Sequence, residues 1–165
     1  MRAIFAPEHL EDLVRKLAQR LAISITSATV AAVALASPAH AASNPYSAAQ
    51  ACSNDFGGSW ASVTGGHQAI TAPDGTKVGD VYLMYNSGTG YNCVATLKSV
   101  AVGSATGVEA GIRVEGGSWV YASGNFKYYE TIQRSAVDKC VMYDGDVLYG
   151  TNWEGAGRYS WGNCG

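Results

Sequence analysis

The stretch Val81-Tyr82-Leu83-Met84-Tyr85-Asn86-Ser87-Gly88-Thr89-Gly90-Tyr91-Asn92-Cys93-Val94-Ala95-Thr96-Leu97-Lys98 decides the fold. Two runs rich in β-branched and aromatic residues flank a Ser-Gly-Thr-Gly turn, which is the pattern of a β-hairpin. The alternation places Val81, Leu83 and Tyr85 on one face of the first arm. Cys93, Ala95 and Leu97 share a face of the second. A disulfide through Cys93 is therefore expected on a core side of the hairpin.

Working outward, the same logic gives more strands. Strands are expected at 77–86 and 91–99. In 108–115, Val108, Ala110, Ile112 and Val114 point one way while Glu109, Arg113 and Glu115 point the other. That is a half-buried strand with one wet face. Gly116-Gly117 turns the chain into a strand at 118–123, Gly124-Asn125 breaks it, and another run follows at 126–132. Cys140 to Tyr143 and Val147 to Tyr149 flank Asp144-Gly145-Asp146, a turn signal between two short strands. Upstream, Ala72-Pro73-Asp74-Gly75 is a turn. A weak strand is expected at 56–63, followed by a break at Gly65-Gly66-His67. Asn44-Pro45 reads as the cap and first position of a short helix running to Cys52. Short antiparallel strands without a βαβ rhythm give an all-β domain, a small sandwich or open barrel with a short N-terminal helical turn.

The first 41 of the 165 residues do not belong to that domain. Arg15, Lys16 and Arg20 precede an apolar run over 21–36, and Ala39-His40-Ala41 supplies the small residues of a signal peptidase site. Cleavage is expected after Ala41, leaving a secreted domain at 42–165. The run contains Ser24, Thr26, Ser27 and Thr29, and it is short for a span that needs about 20 apolar residues. No transmembrane segment is expected in the mature chain. Glu8, Glu11 and Asp12 are foreign to a basic leader, so translation is expected to start at a non-AUG codon near Val14.

All 20 glycines, all four tryptophans and all ten tyrosines fall after residue 41, a composition that favours β structure. Seven basic residues against ten acidic ones leave that part at a net charge of about −3, without a block of either sign. Nucleic acid and anionic membrane surfaces select basic patches, so neither is an expected partner.

Cys52, Cys93, Cys140 and Cys164 all lie in the exported part. An even count outside the cytosol reads as two disulfides. Three pairings are open; local closure favours Cys52–Cys93 and Cys140–Cys164. Loops of about 42 and 25 residues would each stabilise the fold by roughly 3.5–4 kcal/mol in the chain-entropy account. The cysteines form no Cys-x-x-Cys pair and no histidine stands near them, so no zinc site or other cofactor is expected.

Candidates for catalysis are few. His67 is the only histidine after residue 41 and could pair with Asp74 or Asp80. Gly57-Gly58-Ser59-Trp60 and Gly116-Gly117-Ser118-Trp119 are the glycine-flanked serines, and neither is a nucleophile elbow. Glu109 and Glu115 share a strand face, but six residues at about 3.3 Å each separate them by roughly 20 Å, too far for a glycosidase pair. No catalytic residue is assigned. A binding surface remains, built from Tyr129, Tyr149, Trp153, Tyr159 and Trp161, since exposed rings stack on sugars or dock partners. Most of the aromatic rings are expected to be core.

The 81–98 hairpin resembles that of the spore-associated protein A family, as do Ala122-Ser123-Gly124-Asn125-Phe126-Lys127-Tyr128-Tyr129, Arg134-Ser135-Ala136-Val137-Asp138-Lys139-Cys140-Val141, and the ending Asn163-Cys164-Gly165. The start Asn44-Pro45-Tyr46 also fits. The chain departs from the family in extra length between Phe56 and Val78 and in the added Trp119, Trp153 and Trp161. The resemblance implies an exported, non-enzymatic protein of spore-forming actinobacteria, found on the spore surface or in the medium. Its implied partners are spore-surface or cell-wall components. It brings no catalytic residues.

Overall fold

Residues 43–164 are described by a computed structural model. The expected leader, its expected cleavage site and the expected start codon lie outside them. The hairpin forms where the alternation puts it: β2 is Lys77–Asn86 and β3 is Tyr91–Lys98, with Leu83 opposite Val94 and Asn86 opposite Tyr91. Gly90 closes the turn at φ 72°, and its N–H donates to the Asn86 carbonyl at 2.8 Å. Around this hairpin stand α1 (Ala48–Phe56), β1 (Ala61–Thr71), β4 (Thr106–Val114), β5 (Trp119–Phe126), β6 (Tyr129–Ser135), β7 (Val141–Tyr149) and β8 (Asn152–Gly162).

The strands make two antiparallel four-stranded sheets, β1-β2-β3-β6 and β5-β4-β7-β8. They stack as a sandwich, with β1 over β8 and β2 over β7. Among the described residues no closed barrel forms. Val81, Leu83, Val94, Val108, Ala110, Ile112, Val141, Tyr143 and Val147 fill the space between the sheets. The inner face of β3 also carries Lys98, which is fully buried. Its ammonium donates to the Ser104 carbonyl at 2.8 Å, the Phe126 carbonyl at 2.9 Å and the Thr106 hydroxyl. Burial lowers its pKa. Those contacts tie the 99–105 connection to the end of β5.

Several local expectations are corrected. The helix is capped by Ser47, not Asn44, in a reciprocal box: the Gln50 N–H donates to Ser47 Oγ, and the Ser47 N–H donates to Gln50 Oε1. Asn44 instead donates its amide to the Lys98 and Tyr128 carbonyls at 3.1 and 2.7 Å, tying the N-terminal segment to the first sheet. Residues 53–56 continue the helix rather than opening a strand. The Gly65-Gly66-His67 break is a bulge inside β1, where the register slips between Ser62 and His67. β5 runs through Gly124-Asn125, and the chain crosses between sheets at Lys127-Tyr128.

The larger correction concerns Asp144-Gly145-Asp146, which is not a turn but the middle of β7. Gly145 points inward, where a methyl group would stand 2.1 Å from Thr96 Oγ1 and 2.8 Å from Val81 Cγ2. Glycine is there because the sheets approach closely, and its aspartate neighbours consequently both point outward.

Disulfides join Cys52 to Cys93 and Cys140 to Cys164. The first lies not between the sheets but outside the first one. Cys93, Ala95, Leu97 and Met84 face outward there, and α1 covers them with Ala48, Ala51 and Cys52 to make a second buried cluster.

Candidate functional site

α1 lies on the outer face of the first sheet, while the outer face of the second has no such cover among the described residues. Alternation along β4 turns Gly107, Glu109, Gly111 and Arg113 outward, because Val108, Ala110 and Ile112 are fully buried on the other side. Along β7 the outward positions are Met142, Asp144, Asp146 and Leu148; along β5 they include Trp119, Tyr121 and Ser123. The outer face of β8 adds Trp153, Tyr159 and Trp161, exposed by 51, 64 and 40%.

Three glycines let large side chains lie flat on this face. A methyl group at Gly107 would stand 2.7 Å from the Trp153 ring, one at Gly111 1.9 Å from Asp144 Oδ1, and one at Gly155 2.2 Å from Asp146 Oδ1. The side chains thus occupy the room that the missing Cβ atoms leave. Trp119 stacks near Tyr121 with ring centres 5.8 Å apart and meets Tyr159 at 6.1 Å. Those rings gather over the Gly111 end, and Trp153 covers the Gly107 end. Four residues of strand, about 13 Å, separate the two ends.

Glu109 and Asp146 lie between them. They are register partners across β4 and β7, so their side chains start about 5 Å apart. Asp144 is buried beside Gly111 and Tyr121, and its Oδ1 has no hydrogen-bond partner. Burial raises its pKa to about 7, with Asp146 and Glu109 adding repulsion and the Tyr121 hydroxyl opposing. Burial likewise raises Glu109, again helped by Asp146 and opposed by Ser123. Burial raises Asp146 as well. Tyr121 and Tyr159 are pushed up by burial and then by these carboxylates. The face therefore offers flat apolar rings for stacking, carboxylate acceptors between them and one carboxyl that holds its proton near neutrality.

Two of the five aromatic residues singled out in the sequence lie elsewhere. Tyr129 is half-buried beside α1, where its ring meets Tyr46 at 5.2 Å and its hydroxyl accepts from the Asn54 amide. Tyr149 is half-buried against the main core, and its hydroxyl donates to Asp74 at 3.3 Å. The expectation that most aromatic rings are core is corrected: among the described residues Tyr143 and Trp60 are the buried rings, whereas Tyr121, Trp153, Tyr159 and Trp161 face water because the inner space is filled by small aliphatic side chains. His67 pairs with Asp80 at 2.7 Å, as one of its two candidates, and stacks on Tyr82 at 4.4 Å. The other Asp80 oxygen holds Lys77 at 2.8 Å. Glu115 stands beyond β4 and accepts from the Cys140 N–H. The partner of Glu109 is thus Asp146, a residue the strand-by-strand reading could not bring to it. Among the described residues, no group of three histidine, cysteine or acidic side chains has the arrangement to hold a metal ion, and no helix is long and apolar enough to cross a membrane.

The chain is similar to Spore-associated protein A of Streptomyces coelicolor. The two are 32% identical over 84 residues, which is 50% of this chain and 54% of that protein. The chain thus spans about half the length of the curated relative it matches. No protein-family model matches the sequence. No solved structure matches it either.

Proposed function

We propose that the protein is exported, cut after Ala41, and acts outside the cell as a non-enzymatic component of the spore or cell surface. It holds a glycan on the outer face of β5-β4-β7-β8. One observation carries the binding reading: Trp119, Tyr121, Trp153, Tyr159 and Trp161 share a single uncovered sheet face with a row of carboxylates. Exposed rings in such a row present stacking platforms to the apolar faces of sugar rings, and the acceptors between them suit hydroxyl groups. Similarity to a protein named as spore-associated supports the location. Two disulfides in so small a domain support an oxidising compartment.

Co-sedimentation with peptidoglycan, chitin and purified spore coats tests the reading. Wild type is expected in the pellet with at least one of them. The double variant Trp153→Ala, Tyr159→Ala is expected in the supernatant. Wild type free of every polymer, or a double variant that binds equally well, would contradict it. N-terminal sequencing of the extracellular protein is expected to begin at Ala42.

A second reading has its own observation. Glu109 and Asp146 start about 5 Å apart beside an acid that keeps its proton near neutrality, the chemical parts of a glycosidase. Release of reducing ends from any polymer bound by wild type, lost in Asp146→Asn, would favour it over simple binding.

A further inference from the structure

The charge on the open face narrows the chemistry of its ligand. Glu109, Asp144 and Asp146 point outward from adjacent positions on two paired strands. The groups that face them from neighbouring elements are neutral: Tyr121 and Ser123 on β5, Tyr159 on β8. Among the described residues, ion pairs join His67 and Lys77 to Asp80, and none reaches this row. Arg113 shares the outer face of β4, but it donates to the Gly117 carbonyl and lies over Trp161. Arg158 is turned inward, donating to the Val141 carbonyl over the Tyr143 ring. No basic side chain of the described domain is thus spent on these carboxylates.

Two independent features ask for a donor that is also a cation. Glu109 and Asp146 are register partners only partly removed from water, two neighbouring carboxylates that no basic side chain of the described residues neutralises. The exposed rings of Tyr121, Tyr159 and Trp153 flank the row, and aromatic faces attract cations. A neutral sugar brings hydroxyl donors and no charge. An acidic sugar is repelled. An ammonium brings three donors and the charge that both the carboxylates and the rings favour.

We infer that the face takes a glycan bearing free amino groups, a deacetylated amino sugar, with its ammonium between Glu109 and Asp146. The inference rests on the glycan reading above and names its substrate class. Because burial raises all three carboxyls, with repulsion adding at Glu109 and Asp144, an entering cation expels protons from the site.

Titration calorimetry of the full mature protein at about pH 6 tests it, using a fully deacetylated glucosamine oligomer and its N-acetylated counterpart. Two buffers of different ionisation enthalpy read proton release. The deacetylated oligomer is expected to bind at least tenfold more tightly, to release protons and to weaken with salt. Asp146→Asn combined with Glu109→Gln, checked for folding by circular dichroism, is expected to bring the two oligomers to parity. Equal or tighter binding of the N-acetylated oligomer overturns the inference and leaves the glycan reading standing. So does a preference that survives in the double variant. Binding of neither oligomer also overturns the inference, and the co-sedimentation with peptidoglycan, chitin and spore coats then decides the glycan reading separately.

Discussion

The two outer faces of this sandwich solve different problems with the same strand geometry. On the first sheet the outward side chains are Met84, Cys93, Ala95 and Leu97, and α1 closes over them. Small and sulfur-bearing residues let the helix settle close, and Cys52–Cys93 fixes it there. On the second sheet the outward positions are glycine, carboxylate and large rings. One face is built to be covered and the other to stay open. Polar groups half-removed from water on an open face cost stability, and such a cost marks the places where a fold gives way to function.

The largest expected effect sharpens the covered side. Cys52→Ala with Cys93→Ala should lower unfolding free energy by about 4 kcal/mol in denaturant titrations, the chain-entropy value for a loop of separation 41. Binding by the folded fraction should be unchanged. Equal loss of binding would show the two faces to be coupled.

Gly145→Ala probes what forces the aspartates outward. Its methyl group would collide with Thr96 and Val81, so a loss of about 2 kcal/mol is expected from overpacking. A neutral result would remove the account of why β7 has this register.

Asp144→Asn tests the cost of the open face. The folded pKa of about 7 lies above the unfolded value, so between about pH 4 and 7 the folded state binds more protons than the unfolded. Wild-type stability should therefore fall as pH rises through that window. The variant should show a shallower slope, with Glu109 and Asp146 supplying what remains, and be more stable at pH 8 by about 2 kcal/mol after solvent screening. A parallel pH profile would mean that Asp144 is no cost at all.

The smallest stability effect separates the two kinds of aromatic residue. Tyr159→Ala, on a side chain 64% exposed, should change stability by no more than about 0.5 kcal/mol while weakening glycan retention. A loss of about 2 kcal/mol or more in Tyr159→Ala, with glycan retention unchanged, would assign the ring to packing.

How much of this could be read from the chain follows from where the deciding contacts lie. The β2–β3 hairpin and β4 were readable because their alternation and turn residues are local. Trp153, Tyr159 and Trp161 crowd the C-terminal third, but crowding does not separate exposed rings from core ones; the sheet face on which β8 sets them does. Asp144-Gly145-Asp146 misled because glycine between aspartates is turn chemistry, and only the approach of the opposite sheet makes it a strand. The carboxylate row was invisible for a similar reason. Glu109 meets Asp146 through the β4–β7 pairing, which no local spacing encodes. The helix cap shifted from Asn44 to Ser47 because Asn44 finds better partners in two distant carbonyls.

The most direct measurement is a nuclear magnetic resonance titration of the isotope-labelled protein with soluble cell-wall glycan fragments. The largest shifts should fall on Glu109, Asp146 and the Trp153 indole N–H, with the α1 face and the His67–Tyr82 stack unmoved. Shifts centred on α1 or His67, or none anywhere on the second sheet, would contradict the assignment of that open face.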